Sequence, residues 1–447
     1  MLRDFAQSIV RQLREHDHQA YFAGGCVRDL LLEREPADYD VATSATPDEV
    51  MQIFPETYAV GAQFGVVLVP PPKKDSAAGL STESSAIEVA TFRSDIGYSD
   101  GRHPDQVRFS KTPQEDVARR DFTINGMMLD PITQEVLDFV GGRQDLKSGI
   151  IRAIGDPEVR FSEDKLRMLR AIRFAARFAY AIDRETLAAI GRHAPEIAHV
   201  SRERVRDELT RMLTEGQARQ AFLLLDGSGL LQQVLPEIEA MKGVEQPPEF
   251  HPEGDVFVHT LLLLEKLPHP CPPTLAWGAL LHDVGKPPTF RVAPDRIRFD
   301  DHVNVGGKMA EQICRRLHFS NHDTEQILAL VHNHMRFGDV PRMKESTFKR
   351  FVRMPKFEEH LELHRLDCES SFRNLASYNL VRQKLATTPA EAMRPKPLIT
   401  GEELISAGYA PGPRFKEILS AVEDGQLEGR LQSQESALEF VRQQFPL

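Results

Sequence analysis

Two aspartates separated by one residue, Asp38 and Asp40 in the stretch ADYD, could bind a metal ion. In an extended chain both side chains point to one face, about 6 to 7 Å apart. A hard cation relieves their mutual repulsion, and Mg²⁺ prefers one or two carboxylates together with substrate phosphates. Two metals about 4 Å apart would activate an attacking hydroxyl and stabilise a pyrophosphate leaving group. The alternative interpretation is a solvated turn.

A glycine pair shortly before these aspartates could bind phosphate. Gly24 and Gly25 follow a strand-like stretch and precede a helical one, and the backbone N–H groups at such a junction can hold a triphosphate. Arg28, on the first turn of the predicted helix, would point its guanidinium at the same phosphates. Glycine pairs alone mark turns everywhere. The combination of GGxVRD with a following DxD indicates a joint phosphate and metal site.

The arginine-rich stretch EDKLRMLRAIRFAARF, residues 163–178, predicts one amphipathic helix. Its apolar half consists of Met168, Leu169, Ile172, Ala175 and Ala176. Its charged half consists of Glu163, Asp164, Arg167, Arg170, Arg173 and Arg177. An Asp–Arg pair presents acceptors and donors in fixed planes, as the edge of a nucleobase does. The pattern therefore suits base recognition, and the alternative is an ordinary helix with solvated arginines.

Histidine and aspartate recur in the second half of the chain, in FVHTLLL, ALLHDVGKP, DDHVNVGG, LVHNHMRF and HRLDCES. An adjacent imidazole and carboxylate can share one metal, and ligands from other helices would complete a site that activates water. The candidate ligands are His259, His282, Asp283, His302, His334 and Asp367. The alternative is a set of core histidines with satisfied hydrogen bonds.

The composition excludes some classes of protein. The chain has 447 residues, 41% of them hydrophobic, and a formal net charge of −11. No stretch reaches the roughly 18 apolar residues of a membrane span, and the charged N-terminus has no signal-peptide pattern, so we expect a cytoplasmic protein without membrane contact. The negative charge predicts that any nucleic-acid contact is local. The four cysteines have no metal-binding spacing and are expected to be reduced thiols.

The order of predicted elements indicates an α+β multidomain protein. Strands mixed with helices up to about residue 150 indicate a small α/β domain, and almost all of the remainder has helical periodicity. Two polar stretches, residues 70–85 and 94–113, are expected to be loops. We predict an α/β head at 1–150, a helical neck and body at 151–250, a histidine-rich helical domain at 251–375 and a helical tail at 376–447.

Three motifs in order resemble those of the class II tRNA nucleotidyltransferase and bacterial poly(A) polymerase family. They are GGCVRDLLL…ADYD, RRDFTIN at 119–125 and SEDKLRMLRAIRFAARF at 162–178. The resemblance covers roughly residues 20–235. It implies a polymerase-beta-like nucleotidyltransferase head that adds nucleotides to an RNA 3′ end with metal ions and without a nucleic-acid template.

The resemblance also implies roles for individual residues. Asp38 and Asp40 would be catalytic Mg²⁺ ligands, and Glu88 would be a third catalytic carboxylate beside them, or equally a surface residue. Gly24, Gly25 and Arg28 would bind the triphosphate, and Arg120 of the RRD motif would also contact the nucleotide. In the form EDxxR, the incoming base would be read by Glu163, Asp164 and Arg167, with Arg170 and Arg173 continuing the row.

The histidine-rich segment resembles the HD metal-dependent phosphohydrolase domain over roughly residues 251–372. The resemblance implies that the six candidate ligands hold a divalent metal ion, such as a transition metal. His334 fits the family position better than His332. Some relatives with this domain hydrolyse phosphoesters, and others keep the fold as an RNA-binding scaffold.

Together these resemblances imply an enzyme that adds CCA, or its terminal A, to the tRNA 3′ end from CTP and ATP. The loop DGRHPDQ at 100–106 is similar to one that the family associates with adding the terminal A. Two alternatives stay open. One is an A-adding enzyme or poly(A) polymerase that uses ATP alone, and the other is an HD-domain phosphohydrolase that acts on RNA ends. The sequence does not predict the oligomeric state.

Overall fold

The protein divides into two compact units in a computed structural model, Met1–Glu239 and Ala240–Leu447. The structure describes residues 2–58, 64–71, 86–96, 106–249, 251–371 and 373–447. Most of the loop at 100–106 therefore lies outside the described residues. The first unit combines β-sheets with helices, and the described part of the second is almost entirely helical.

The secondary structure of the first unit begins with a helix and then alternates between strands and helices. Its described strands are β1 (Ala20–Ala23), β2 (Asp40–Thr43), β3 (Val66–Val69), β4 (Ile87–Thr91), β5 (Arg93–Ile96), β6 (Gln106–Phe109), β7 (Met127–Leu129), β8 (Val136–Asp138), β9 (Ile150–Ile151) and β10 (Ala181–Ile182). Its described helices are α1 (Leu2–Glu15), α2 (Gly25–Leu31), α3 (Pro47–Ile53), α4 (Pro113–Ala118), α5 (Gly142–Ser148), α6 (Pro157–Glu163), α7 (Leu166–Phe178), α8 (Arg184–His193), α9 (Arg202–Thr214), α10 (Ala218–Gly227), α11 (Leu230–Val234) and α12 (Pro236–Glu239).

Six strands form one sheet in the order β3-β4-β2-β1-β7-β8. Strands β2 and β4 are parallel, and the other neighbours are antiparallel. Asp40, at the start of β2, is therefore paired with Glu88 of β4 on one side and with Ala23, the last residue of β1, on the other. Because Gly24 follows Ala23 directly, one end of the sheet brings together the glycine turn and two carboxylates.

The side-chain alternation of β4 explains why Glu88 faces away from the core. Ile87, Val89 and Thr91 are buried, whereas Glu88 between them is exposed. β-Branched side chains pack well on the buried face of a strand, and successive side chains point to opposite faces. Since residues paired in register share a face, Glu88 and Asp40 lie on the same side of the sheet.

The prediction of a loop over residues 94–113 is wrong in part. Strands β5 and β6 pair as antiparallel neighbours in a separate two-stranded sheet. No residue of β6 is buried, so this pair lacks the alternation of apolar and polar residues by which a half-buried strand is recognised. The polar composition alone therefore suggested a loop.

The prediction of one helix over residues 163–178 is also wrong, because α6 ends at Glu163 and α7 begins at Leu166. Asp164 has an extended backbone (φ −143°, ψ 104°). Its Oδ1 accepts a hydrogen bond from the backbone N–H of Leu166 at 3.1 Å. Aspartate side chains compete with the helix for backbone hydrogen bonds in this way. The acid pair and the arginines therefore lie on different elements.

The second unit consists of short helices and one hairpin. The described helices are α13 (Val256–Glu265), α14 (Pro273–Leu281), α15 (Lys286–Thr289), α16 (His302–Arg316), α17 (Asn321–Asn333), α18 (Glu345–Phe351), α19 (Phe357–Ser370), α20 (Ala376–Thr387), α21 (Ala390–Met393), α22 (Gly401–Ser406), α23 (Arg414–Leu427) and α24 (Gln434–Gln444), and the hairpin strands are β11 (Phe290–Val292) and β12 (Ile297–Phe299). Helices α13, α14, α16, α17 and α19 pack on one another. The tail has a hydrophobic core of its own that includes Leu404, Ile418 and Val441.

Two further features bear on the composition. All four cysteines are free and buried, as predicted. Among the described residues, we find no helix with the length and apolar character needed to cross a bilayer.

Candidate active site and candidate metal centre

Three carboxylates of the first unit lie at the same end of the main sheet. Asp38 is exposed and Asp40 is half-buried, whereas Tyr39 between them is buried, so both aspartates project away from the core. Burial, and then the charges of Glu88 and Asp38, raise the pKa of Asp40 to about 7. Burial and the charge of Asp38 also raise the pKa of Glu88. This crowding of negative charge is what a divalent cation would relieve.

The backbone of Gly24 passes between a carboxylate and a cation. Its conformation, φ +76° and ψ −137°, is essentially restricted to glycine. A Cβ atom at this position would lie 3.0 Å from Nη1 of Arg120 and 3.5 Å from Oδ2 of Asp40. Glycine is therefore required here both by the dihedral angles and by the lack of space.

Arg28 is buried below the cavity and its donors are already engaged. Its Nε and Nη2 donate to Oδ1 of Asp29 (2.8 and 2.7 Å), and its Nη1 donates to Oδ1 of Asn125 (2.7 Å). The guanidinium carbon lies 4.7 Å from the centre of the Phe178 ring. Burial lowers the pKa of Arg28. The predicted contact of Arg28 with phosphate thus competes with internal hydrogen bonds.

One cavity of about 750 Å³ joins the acidic end of the sheet to α7. It is lined by most of the predicted site residues, namely Gly24, Gly25, Arg28, Asp38, Asp40, Arg120, Asp164, Arg167, Arg170 and Arg173. Glu88 lines an adjoining cavity of about 210 Å³ together with Asp40 and Arg120. Asp38, Asp40, the predicted phosphate donors and the predicted base-reading residues other than Glu163 therefore line one cavity. Glu163 lines neither cavity and contacts Arg167 instead.

The members of the EDxxR motif are held by specific partners. Glu163 accepts a hydrogen bond from Nη1 of Arg167 through Oε2 at 2.6 Å, and Nη2 of Arg167 donates to the backbone carbonyl of Arg119 at 3.1 Å. Asp164 accepts from Nη2 of Arg204 through Oδ2 at 2.8 Å. Glu163 thus orients Arg167. Asp164 is oriented by Arg204, which lies outside the EDxxR motif.

The two arginines predicted to continue the row are both paired with carboxylates. Arg170 donates from Nε and Nη2 to Oδ2 of Asp121 (2.9 and 2.6 Å). Arg173 donates from Nε to Oε2 of Glu208 (2.7 Å), and both side chains are buried. Although burial alone would raise it, the pKa of Asp121 falls to about 2 because of Arg170 and of hydrogen bonds to the carboxylate. Arg173 therefore joins α7 to α9.

Four residues without a predicted role hold the predicted ones. These are Asp116, Asp121, Asn125 and Arg204, of which Asp121 and Asn125 lie within the RRDFTIN motif. For Asp116 a signal was present, because it lies three and four positions before Arg119 and Arg120, a spacing at which side chains meet on a helix. No such local signal exists for Arg204, since its partner Asp164 lies 40 positions away, between α6 and α7.

In the second unit, four imidazole rings lie close together. The ring centres of His259 and His282 are 5.5 Å apart, those of His282 and His334 are 5.4 Å apart, and those of His302 and His334 are 5.6 Å apart. In three of them Nδ1 is 2.7 to 2.9 Å from a backbone carbonyl. A carbonyl only accepts, so Nδ1 carries the hydrogen and Nε2 keeps the lone pair that a metal needs.

Glu253 supports the fourth imidazole. Its Oε1 lies 2.7 Å from Nδ1 of His259 and 2.9 Å from Nδ1 of His251. A carboxylate on the far nitrogen of a ligating histidine is a frequent second partner in metal sites. His332 contacts Gly307 through its ring, which agrees with the preference for His334 as the ligand.

The Nε2 atoms point at two aspartates. Nε2 of His302 and of His334 is buried without a hydrogen-bond partner, 4.0 and 3.8 Å from Oδ1 of Asp283. Nε2 of His282 lies 3.2 Å from the other oxygen of Asp283. The candidate ligand atoms form three compact groups, His251 with Glu253 and His259, His259 with His282 and Asp367, and Asp283 with His302 and His334. This donor set fits divalent transition metals, and Asp283 lies between the last two groups.

The charges of this cluster follow from its partners. Although burial would lower it, hydrogen bonds to Asp367 and Glu253 raise the pKa of His259 to about 9. Burial lowers the pKa of His334 to about 4. Despite burial, His282 and Lys286 hold the pKa of Asp283 well below its usual range. A metal at His259 would therefore displace a proton.

A cavity of about 450 Å³ opens beside the cluster. Its rim carries the basic side chains of Lys286, Arg296 and Arg298 and the apolar side chains of Phe299 and Met335. Lys286 itself is buried and donates to Gln246 at 2.7 Å and to Asp283 at 2.7 Å. Arg298 and Arg296 lie 2.8 and 4.0 Å from Asp295, and Asp283, Asp300 and Asp367 also line the cavity, so its lining combines charges of both signs.

Three domain families match the chain in succession. Residues 20–152 match the poly A polymerase head domain, residues 179–242 match a probable RNA- and SrmB-binding site of polymerase A, and residues 256–368 match the HD domain. The chain thus has a head domain of the poly A polymerase type, a segment that matches the probable RNA- and SrmB-binding site, and an HD domain.

The chain belongs to the CCA-adding enzyme family. A CCA-adding enzyme of Leuconostoc mesenteroides is 31% identical over 451 residues, which cover 98% of this chain and 96% of that enzyme. One of Geobacillus thermodenitrificans is 43% identical over 225 residues, which cover 50% of this chain and 53% of that enzyme. The chain therefore spans about half the length of the Geobacillus relative that it matches.

Solved structures share the fold. The Bacillus stearothermophilus CCA-adding enzyme in complex with CTP aligns with a TM-score of 0.73 and 28% identity, covering 98% of this chain and 97% of that one. A Thermotoga maritima CCA-adding enzyme complexed with tRNA aligns with a TM-score of 0.58 and 20% identity, a likeness of fold alone. The predicted family and the α+β multidomain fold are confirmed, and the four predicted segment boundaries stay predictions.

Proposed function

We propose that the first unit adds CCA to the tRNA 3′ end from CTP and ATP without a nucleic-acid template. The observation that carries this proposal is the single cavity that contains both the aspartate pair and Arg167. A nucleotide in such a cavity meets the acidic edge with its phosphates and α7 with its base. Because the substrate would be tRNA, we infer that the protein acts in the cytoplasm.

The reaction forms a phosphodiester bond and releases pyrophosphate. The RNA 3′ hydroxyl attacks the α-phosphate in line with the leaving group. Mg²⁺ held by Asp38 and Asp40, with Glu88 beside them, would activate the hydroxyl and stabilise the charge of the leaving pyrophosphate. Burial is the main cause of the raised pKa of Asp40, and the charges of Glu88 and Asp38 raise it further. The clustering of these three carboxylates supports the assignment, because a divalent cation would relieve their repulsion.

The chain's own residues bind and orient the nucleotide. The N-terminal end of α2 and the backbone at Gly24 face the same space as Nη1 of Arg120, which would receive the triphosphate. Asp164 and Arg167 would hydrogen-bond the edge of the base, with Glu163 and Arg204 fixing their planes. A protein surface would thus take the place of a template.

An incorporation assay tests this proposal. Purified protein is incubated with tRNA that ends at the discriminator base, or at CC, and with CTP, ATP or both. Addition of CC with CTP and of CCA with both nucleotides is the expected result. If ATP is incorporated and CTP is not, the protein is an A-adding enzyme or poly(A) polymerase. If tRNA binds without any incorporation, the proposed activity is wrong.

A second activity is supported by the histidine cluster. We propose that the HD site binds a divalent transition metal and hydrolyses phosphoesters at RNA ends. The buried, unpartnered Nε2 atoms of His302 and His334 beside Asp283 support it, since buried polar groups are otherwise almost always satisfied. Metal would activate the attacking water.

Metal content measured after loading with Mn²⁺, Ni²⁺ or Co²⁺ tests the HD site. The wild-type protein should retain bound metal after desalting, and Asp283→Asn should lose most of it. Retention by Asp283→Asn at the wild-type level would contradict the site. A metal-loaded protein that does not cleave terminal RNA phosphates would limit this domain to a scaffold.

A further inference from the structure

A buried carboxylate lies behind the arginines of the RRD motif. Asp116 of α4 is 1% exposed and does not line the cavity that holds the aspartate pair. Its Oδ1 accepts from Nε and Nη2 of Arg119 (2.9 and 2.7 Å), and its Oδ2 accepts from Nε and Nη2 of Arg120 (3.2 and 2.9 Å). One side chain therefore makes a two-point contact with each of two neighbouring arginines.

This arrangement decides where the other side of Arg120 points. Two donors on one edge of the guanidinium are used by Asp116, which fixes the plane of the group. The remaining nitrogen, Nη1, lies 3.0 Å from the position of a Cβ at Gly24. It therefore faces the glycine turn and the carboxylate of Asp40, which its charge stabilises.

The same carboxylate also acts on the neighbouring motif. Arg119 lines both cavities of the site, and its backbone carbonyl accepts the hydrogen bond from Nη2 of Arg167. Asp116 thus lies behind side chains that would contact both ends of a nucleotide in this cavity. Its single negative charge also offsets part of the positive charge of two partly buried guanidinium groups.

We propose that Asp116 is a positioning residue for nucleotide binding, which fixes Arg119 and Arg120 so that Nη1 of Arg120 faces the triphosphate. This inference rests on the proposed nucleotidyl transfer by the first unit. Asp116 acts through the arginines and touches no substrate. Its loss should therefore weaken the binding of every nucleoside triphosphate alike, whereas base selection depends on other residues.

Equilibrium binding of ATP and of CTP tests this proposal without turnover. Asp116→Asn keeps the shape of the side chain but removes its charge and one acceptor. We expect the Kd for both nucleotides to rise about tenfold or more, the scale of a lost charge-assisted contact, and the KM in transfer assays to rise with it. Asp116→Glu, which keeps the charge, should restore part of the affinity.

Asp130→Asn is the matched control. Like Asp116, Asp130 is a largely buried aspartate of the first unit that does not line the cavity. Both of its oxygens contact Nη1 of Arg14, at 3.1 and 3.0 Å. The control should lower the melting temperature without changing the Kd for nucleotides. Equal Kd values for Asp116→Asn and the wild type would overturn the proposal.

A double-mutant cycle separates positioning from general destabilisation. If Asp116 acts through Arg120, then Asp116→Asn in an Arg120→Ala background should change the Kd for ATP far less than it does in the wild type. Additive effects would contradict the proposed route. If Asp116→Asn does not fold, Asp116→Glu carries the test, and a Kd for nucleotides equal to that of the wild type would refute the inference.

Absence of nucleotide transfer by the wild-type protein would instead refute the proposed function. The binding test of Asp116 would remain valid in that case.

Discussion

At the scale of single residues, the lack of a side chain at Gly24 leaves space between two charged groups of the candidate active site. The space that a Cβ would occupy lies between Arg120 and Asp40, two groups of opposite charge that a metal-bound triphosphate would join. Burial, and then the charges of Glu88 and Asp38, raise the pKa of Asp40 to about 7. This arrangement suits the proposed ligand, a triphosphate with its metal ion.

We predict that Gly24→Ala lowers kcat/KM for transfer by about 100-fold, because a displacement near 1 Å in a reactive geometry has effects of that size. The matched control is Gly155→Ala, whose φ of +74° is close to the +76° of Gly24 but whose Cβ would meet nothing within 4 Å. The backbone cost should be about 1 kcal/mol for Gly155→Ala and up to about 3 kcal/mol for Gly24→Ala, whose ψ of −137° is essentially restricted to glycine. Similar activity of the two variants in single-nucleotide incorporation would refute the steric explanation.

At the scale of elements, the buried pair of Arg173 and Glu208 connects α7 to α9. Both side chains are 5% exposed, so each needs the other to compensate for the loss of water. Arg173 lines the nucleotide cavity, but its Nε is committed to this pair. Its main effect is therefore expected on stability, and its predicted contribution to nucleotide binding stays a prediction.

We predict that Arg173→Ala lowers the free energy of unfolding by about 3 kcal/mol, because it leaves the carboxylate of Glu208 buried and short of a partner. The double variant Arg173→Ala/Glu208→Ala should recover part of this loss. Guanidinium unfolding of the three proteins measures it. A loss of nucleotide affinity with unchanged stability would show instead that Arg173 acts mainly on the substrate.

Helix α19 carries the buried residue His360, whose protonation makes the free energy of unfolding depend on pH. Burial, and then the charge of Arg336, lower its pKa to about 4. The folded state therefore binds fewer protons than the unfolded state below the ordinary pKa of about 6.5. Stability contributed by the neutral imidazole is complete above pH 6.5 and is lost as the pH falls toward 4.

We predict that His360→Gln reduces the loss of unfolding free energy between pH 7 and pH 5 by about 2 kcal/mol relative to the wild type. The fluorescence of Trp277 reports on this unit, since it is the single tryptophan of the chain and is buried. The exposed His322 supplies the control variant His322→Gln. An identical pH dependence in all three proteins would contradict this assignment.

At the scale of the whole molecule, two sets of candidate metal ligands lie in separate compact units. The carboxylates of the head belong to the first unit and the histidine cluster belongs to the second. The two sets also differ in chemistry. Oxygen ligands beside a phosphate site suit Mg²⁺, whereas imidazoles suit transition metals.

We predict that the two centres can be inactivated independently. Asp40→Asn should abolish nucleotide transfer and leave transition-metal content at the wild-type level. Asp283→Asn should do the reverse, with transfer within about twofold of the wild type, since Asp283 belongs to the other compact unit. Transfer and metal content are measured on both variants, and loss of both properties in either one would show that the centres are coupled.

The sequence by itself determined the chemistry and much of the family assignment. The short motifs GGxVRD, DxD, EDxxR and the HD pair each place their residues within six positions of the chain, so local spacing reveals them, although EDxxR spans the break between α6 and α7. The six candidate ligands of the histidine cluster were also predicted from the sequence, and the structure places them close together. The motif order predicted the CCA-adding enzyme family, as the relatives confirm.

Only the tertiary structure decided which partners each motif residue has. The helix breaks at Asp164, where the side chain bonds the backbone of Leu166. Two pairs then connect separate elements, Arg204 with Asp164 and Arg173 with Glu208. Helical periodicity records which face is apolar, but it does not record where an aspartate side chain takes a backbone N–H or which buried arginine meets a carboxylate from another helix. Such choices follow from the burial of charge, which exists only once the elements pack.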